Sequence, residues 1–304
     1  MRLRRLPIFR NARLQKMPTV TRPDPLAVQS DVTLALAEDI GTGDVTAALL
    51  PDTEECAYLL CKQEAVIAGR PWFDACHLAL DPHVRIDWRV NEGQTVGAGT
   101  VLATLRGRSR SLVSAERTSL NFVQTLSAVA TTTAHYVAAV AGTGARILDT
   151  RKTLPSLRLA QKYAVRCGGG HNHRIGLFDA VLLNGNHIRT AGSIATVINA
   201  ARSLQPALPL IVEVETLDEL HQALRAGCQR ILIDDFDVAS RREAVRIAAA
   251  PPFNRHIPLE ASGGIELSNV RAIAEDGVDF ISVGALTKHV QAIDLSLKLG
   301  PPPG

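Results

Sequence analysis

Aromatic side chains are scarce in this chain: 7 Phe, 2 Trp and 3 Tyr among 304 residues make 4% of the total. Single-stranded nucleic acid is commonly held on clustered aromatic platforms, and this composition argues against one. The core has to come from Ala, Val, Leu and Ile, which suits parallel sheets covered on both faces. A run of about 18 apolar residues, the length a membrane-crossing helix needs, is also missing. None of the five cysteines (Cys56, Cys61, Cys76, Cys167, Cys228) forms a C-x-x-C pair, and their number is odd. A disulfide framework is not expected, and reduced thiols in a cytoplasmic protein are the simplest reading. The first twenty residues hold neither serine nor a continuous apolar stretch, which argues against a transit peptide and a secretory signal.

Acid is missing from two stretches. The net charge is +3, from 33 Lys+Arg and 30 Asp+Glu. Residues 1–16 hold Arg2, Arg4, Arg5, Arg10, Arg13 and Lys16 with no acid, leaving 27 cations against 30 acids, or −3, in the rest. Residues 1–25 read as a basic tail expected to be disordered, with Met17 as an alternative start. The body is not expected to bind nucleic acid or a membrane. The second stretch, Arg151–Arg174, holds six cations and no acid, and it lies inside structured sequence.

Residues 26–130 read as a small α/β sandwich. Ser30–Ile40 predicts a short helix with Ser30 or Asp31 as its N-cap and Gly41 and Gly43 as its stop. Short apolar runs at 56–61, 66–68, 84–90 and 101–105, broken by Gly and Pro, predict strands. The turn-rich stretch 90–105 resembles lipoyl or biotinyl carrier modules but lacks the lysine at the hairpin tip, so a swinging arm is disfavoured. Residues 114–139 predict one or two helices.

Residues 131–290 differ. Apolar runs at 145–150, 179–184, 210–215, 230–235, 257–262 and 280–285 start 34, 31, 20, 27 and 23 residues apart, with helical segments between them. That alternation predicts parallel β/α units. Polar residues end the runs: Asp149, Thr150, Asn184, Glu213, Glu215, Asp234, Asp235, Ser262 and Gly284. In a β/α barrel the carboxyl ends of the strands carry the chemistry, and a barrel, complete or one or two strands short, is preferred to an open doubly wound sheet. Residues 291–304 are left as a terminal segment.

Arg151 and Lys152 follow a strand directly, where they can meet an anionic ligand. Pro155 is expected in the first turn of a helix that Gly168 closes. Arg158, Lys162 and Arg166 share one face of it, more simply a solvated stripe than a site. Gly168–Gly170 can admit a phosphate or only make a tight turn. His171 and His173 have zinc-ligand spacing, but a ring donor to an anion is preferred to a metal. His187 reads as a structural polar residue. The small residues of Leu259–Ile265 and Ile281–Ala285 favour phosphate contact through backbone amides. Glu213 and Asp234 can accept from sugar hydroxyls or hold Mg²⁺.

The runs EDIGTGDVT (38–46), ERTSLNFVQ (116–124), DTRKTLPSLRLAQKYAVRCGGGHNHRIGL (149–177), VEVETL (212–217), ILIDDF (231–236), LEASGGI (259–265) and VGALTK (283–288) together resemble the quinolinate phosphoribosyltransferase family over about residues 26–298. The resemblance implies an α/β sandwich before an incomplete TIM-like α/β barrel, the type II phosphoribosyltransferase architecture. It implies conversion of quinolinate and phosphoribosyl pyrophosphate to nicotinate mononucleotide, pyrophosphate and CO₂ with Mg²⁺, in de novo NAD synthesis. It implies a homodimer in which Arg117 reaches the partner's site. Arg151, Lys152, His173 and Arg174 are implied to contact the quinolinate carboxylates and the pyrophosphate end. Glu213 and Asp234 are implied at the ribose hydroxyls and Mg²⁺, and Ser262, Gly263, Gly264 and Gly284 at the 5′-phosphate. Thr150, Asn184, Val283 and Ala285 complete the expected substrate contacts, with Lys152, Glu213 and Asp234 as the catalytic set.

One departure stands out. Where the family usually has Lys-Asp/Glu-Asn-His, this chain has Asn184-Gly185-Asn186-His187. Loss of that cation is expected to weaken substrate binding, with Lys162 or Arg166 as substitutes by proximity in sequence. The alternatives are a phosphoribosyltransferase for another pyridine or pyrrole base, a phosphate-binding barrel isomerase or synthase, and a non-catalytic relative.

Overall fold

The computed structural model describes residues 22–253 and 257–303. The basic stretch 1–16 lies outside them. The chain forms two compact units, one comprising the chain up to residue 135 with 166–169 and 292–304, the other 136–165 and 170–291.

In the first unit, α1 (Pro25–Ile40) begins five residues before the expected start. Asp24 accepts the Leu26 amide at 3.0 Å, Pro25 occupies the first helical position, and Gly41, at φ +54°, ends the helix. A capping Asp followed by Pro is a strong helix start. Asp31, one of the expected caps, instead accepts the Trp72 indole N–H at 2.9 Å. Then come β1 (Glu54–Cys61), β2 (Ala65–Val66), α2 (Arg70–Leu80), β3 (Arg85–Trp88), β4 (Thr95–Val96), β5 (Val101–Arg108) and α3 (Ser109–Ala139). The terminal segment 291–304 contributes β12 (Leu295–Leu299), and the antiparallel sheet runs β12-β1-β5-β3. Leu59, Cys61, Leu102, Ala103 and Leu105 of its central strands are buried, as are Trp72 and Phe73 of α2.

Residues 114–139 belong to a single helix of 31 residues. The threonines that suggested a break turn inward on the helix: Thr131 and Thr133 donate to the Ser127 and Val129 carbonyls, each at 2.7 Å. Such back-bonding satisfies the hydroxyl without ending the helix.

The second unit alternates strand and helix: β6 (Arg146–Leu148), α4 (Arg158–Cys167), β7 (Val181–Leu183), α5 (Gly185–Ala191), α6 (Ile194–Leu204), β8 (Leu210–Val214), α7 (Leu217–Arg225), β9 (Arg230–Asp234), α8 (Val238–Ala249), β10 (Leu259–Ser262), α9 (Val270–Glu275), β11 (Phe280–Ser282) and α10 (Ala285–Lys288). Every strand pair is parallel, in the order β7-β8-β9-β10-β11-β6. This is an incomplete barrel with β6 and β7 as its edges. His171 extends the β6 edge, donating its amide to Ile147 at 2.9 Å and accepting from Asp149 at 3.0 Å. The cationic segment is therefore the connection between the two edges. Among the described residues no helix is long and apolar enough to cross a membrane.

Candidate active site

Parallel register places Glu213, Leu232, Glu260 and Phe280 in one row across β8 to β11, and Asp234 opposite Ser262 one pleat further on. Directly paired residues, and those two apart, share a face. Glu213, Asp234, Glu260 and Ser262 therefore lie on the same side of the sheet. Burial raises the half-buried Glu213 carboxyl above its ordinary value, the nearby Asp234 and Glu215 add to this, and Arg174 opposes it. Such an acid gains by meeting a cation or a hydroxyl donor.

Lys152, Thr150 and the turn after β11 come together. The Lys152 amide donates to Thr150 Oγ1 at 3.0 Å, and Thr287 donates its hydroxyl to the Lys152 carbonyl at 2.8 Å. A Cβ on Gly284 would sit 2.9 Å from Lys152 Cδ, so glycine keeps room for that side chain. Ala285 opens α10 beside it. Val283 is fully buried and gives its amide to Leu148 at 2.9 Å, so it ties β11 to β6 and offers no donor to a ligand. After β10, Gly263 has φ +89°, and a Cβ there would fall 1.9 Å from Asp235 Oδ1. Only glycine fits. No acceptor among the described residues takes the amides of Gly263, Gly264 or Gly284.

Arg151 and Arg174 form the cationic side. Burial lowers the Arg174 guanidinium, with Arg151 adding, while Asp179 and Glu213 oppose it. Arg151 Nε is buried and has no hydrogen-bond partner among the described residues, an arrangement that an anionic ligand would satisfy.

Several expectations change. Pro155 lies in a turn that precedes α4, which starts at Arg158. Lys162 is not on a solvated stripe. It is 3% exposed, bonded to Asp149 and donating to the His173 carbonyl at 3.0 Å. Asn172 Nδ2 at 2.5 Å and the His173 amide at 2.8 Å complete the Asp149 shell. Lys162 thus shapes the 171–174 loop and is not available to replace a missing substrate cation. Gly168 is explained by packing: a Cβ there would lie 2.3 Å from the Ala130 carbonyl of α3. His171 and His173 do not act as a pair, since His171 is exposed and His173 is buried. His173 Nδ1 accepts the Arg174 amide at 2.7 Å, and Nε2 lies 3.3 Å from Glu260 Oε1. Asn184 and His187 form a reciprocal cap at the start of α5.

Glu260 and Arg230 were not among the expected site residues. Glu260 is fully buried and bonded to Arg230 and Ser282. An acid in the middle of an otherwise apolar strand was the available signal. Arg117 lies on α3 of the first unit, exposed, on a cavity of about 300 Å³ also lined by Asp39, Asp44, Val45 and Ser114.

Strand-end carboxylates, clustered arginines and glycine turns on an open parallel barrel define an α/β-barrel enzyme for a multiply anionic substrate. Residues 44–127 match the family "Quinolinate phosphoribosyl transferase, N-terminal domain", and residues 129–298 match its C-terminal domain. The chain belongs to the quinolinate phosphoribosyltransferase family. It is 42% identical over 267 residues to a probable nicotinate-nucleotide pyrophosphorylase [carboxylating] of Synechocystis, covering 87% of this chain and 90% of that one. It is 41% identical over 283 residues to the Mycobacterium leprae nicotinate-nucleotide pyrophosphorylase [carboxylating], covering 90% and 97%. The solved structure of the nicotinate-nucleotide pyrophosphorylase from Francisella tularensis superposes with a TM-score of 0.89 at 44% identity, covering 93% of this chain and 99% of that one.

Proposed function

We propose that this chain transfers phosphoribose from phosphoribosyl pyrophosphate to quinolinate, yielding nicotinate mononucleotide, pyrophosphate and CO₂ for NAD biosynthesis. The observation that carries this reading is that Arg174 lies within electrostatic reach of both Arg151 and the half-buried Glu213, which in turn feels Asp234. Cations and acids on one barrel mouth suit a base with two carboxylates and a sugar with free hydroxyls.

The base is held by Arg151 and Arg174, with Arg117 supplied by a second copy. The ring nitrogen attacks C1′ of the ribose as the bond to pyrophosphate breaks, through an oxocarbenium-like sugar that Glu213 and Asp234 stabilise from its hydroxyl side. Lys152 and Thr150, beside Gly284, face the pyrophosphate end. The amides of Gly263, Gly264 and Gly284, with Ser262 and Ala285, take the 5′-phosphate. The bond from the ring to the carboxylate adjacent to the nitrogen then breaks to release CO₂, its electron pair staying on the ring carbon, where the neighbouring pyridinium charge stabilises it until a solvent proton adds to that carbon.

Glu213 and Asp234 suit Mg²⁺, which binds oxygen donors and is commonly held by one or two carboxylates plus substrate phosphates. Among the described residues no group of three or more His, Cys, Asp or Glu offers a larger protein cage. When bound, Mg²⁺ neutralises charge on the departing pyrophosphate.

A homodimer with shared sites is supported by two exposed apolar surfaces, one on each unit. Val45 and Leu49 are 82% and 83% exposed, Val45 lining the Arg117 cavity; Leu177 and Phe178, before β7, are each 73% exposed. Apolar side chains gathered at such places mark association. A cytoplasmic location is supported by the five free thiols, four of them buried.

Incubation with quinolinate, phosphoribosyl pyrophosphate and Mg²⁺ is expected to give nicotinate mononucleotide and CO₂ in equal amounts. Product from nicotinate but not from quinolinate would overturn this reading in favour of a transferase for a monocarboxylate base, which Asn184 in place of lysine would suit.

A further inference from the structure

Glu260 sits where a parallel barrel ordinarily places branched apolar side chains, and it is fully buried. Burial alone would raise its carboxyl, but His173, Arg230 and Ser282 together outweigh that and hold it below the ordinary carboxylate range. Arg230 and Ser282 bond to it directly, and the Arg230 guanidinium also lies 4.3 Å from the Phe280 ring centre. Arg230 opens β9 and Glu260 is the second residue of β10, so neither is at a carboxyl strand end, whereas Ser282 is the last residue of β11.

The third neighbour connects this cluster to the site. His173 Nδ1 accepts the Arg174 amide at 2.7 Å, so the proton of the neutral ring lies on Nε2. That nitrogen is buried, has no well-directed hydrogen bond among the described residues, and faces Glu260 Oε1 at 3.3 Å. The backbone of His173 is fixed as well, its amide on Asp149 at 2.8 Å and its carbonyl on Lys162 at 3.0 Å. Two buried carboxylates, Asp149 and Glu260, therefore grip one histidine from its backbone and its ring. The next side chain, Arg174, lies within electrostatic reach of Arg151 and Glu213, and its Nη1 donates to the Ala180 carbonyl at 3.5 Å.

We propose that Glu260 is a positioning residue: its buried carboxylate fixes the His173 ring in the Nε2–H tautomer and thereby aims Arg174 at the carboxylates of the base. The proposal rests on the assignment of Arg174 to the base.

Glu260→Gln keeps the size of the side chain and an acceptor for Arg230 or Ser282, but loses the charge and can turn its NH₂ toward His173. In the full-length protein the quinolinate KM is expected to rise on the order of tenfold, as small misplacements of binding groups do. The KM for phosphoribosyl pyrophosphate should change less than about twofold. A merely structural role would lower the active fraction and leave both KM values alone, and that result would overturn the proposal. The second readout needs no variant of Glu260. In ¹⁵N-histidine spectra of the wild-type protein, the signal lost in His173→Gln is expected to show a protonated Nε2 and a bare Nδ1. A protonated Nδ1 would overturn the proposal even if Glu260→Gln failed to fold. Absence of quinolinate turnover by the wild type would defeat the functional reading separately, and the tautomer would still decide the Glu260 contact.

Discussion

Asn184 stands where the family usually carries lysine, and its side chain is already in use. Its Oδ1 accepts the His187 amide at 3.4 Å, while His187 Nδ1 accepts the Asn184 amide at 3.2 Å. The parallel pairing of Leu183 with Val212 carries Asn184 to the level of Glu213, at the barrel mouth. A lysine there would restore a cation but could not accept the His187 amide, so the cap would be lost at about 1 kcal/mol. Asn184→Lys is therefore expected to lower the melting temperature by a few degrees while lowering the KM for quinolinate. Steady-state kinetics and thermal melts check both parts, and an unchanged KM and kcat would show that the missing charge does not limit binding. At this scale the sequence reveals which residue types are present and which share a helix face. It does not reveal what the face meets. Lys162 has the same four-residue spacing as Arg158, yet Asp149 holds it inside the barrel unit, because a buried acid needs a partner more than water needs a lysine. Glu260 was hidden for the same reason, since its partners come from two other strands and a loop.

The one helix start that was expected from capping residues, Ser30 or Asp31, lies inside α1, which Asp24 caps, although several other helices are capped locally. Ser193, Thr216 and Asp237 each accept the amide three residues on and open α6, α7 and α8. The start of α2 differs, because its cap comes from far along the chain. Glu92 accepts the Gly69 amide at 3.1 Å and the Arg70 amide at 2.7 Å, and the Cys167 thiol donates to it at 3.4 Å. Burial nonetheless raises this carboxyl from 4.5 to about 7, against the effect of those bonds. The folded protein therefore holds a proton that the unfolded chain releases. The resulting stabilisation, about 3 kcal/mol, is complete below the unfolded value and is lost as pH rises through 7. Glu92→Gln keeps an acceptor for the two amides without the titration. Thermal melts are expected to show wild type losing stability between about pH 5 and about pH 8 relative to Glu92→Gln. Parallel curves for the two proteins would contradict the assignment. The six strands of the barrel unit were visible from their spacing because parallel β/α units repeat. The terminal strand β12 was not, since antiparallel pairing across the whole chain leaves no local periodicity.

Net charge said little about the whole molecule, and its distribution said more. The +3 total comes from residues 1–16, whereas the cations that meet strand-end acids lie between the two edges of an open barrel. Arg117 belongs to the other unit, and its exposure beside Asp39 and Asp44 on a cavity lined in part by Val45 fits a group that completes a site on a second copy of the chain. Subunit complementation tests that geometry. Arg117→Ala and Arg151→Ala are each expected to abolish activity without unfolding the protein, since Arg117 is exposed and Arg151 Nε has no hydrogen-bond partner among the described residues. When the two inactive variants are mixed, dissociated and reassociated, half of the dimers are mixed at random. If each site combines Arg117 of one chain with Arg151 of the other, a mixed dimer has one intact site and one doubly damaged site. About a quarter of wild-type activity should return. If both arginines serve the same chain's site, every site in every dimer is broken and the mixture stays inactive.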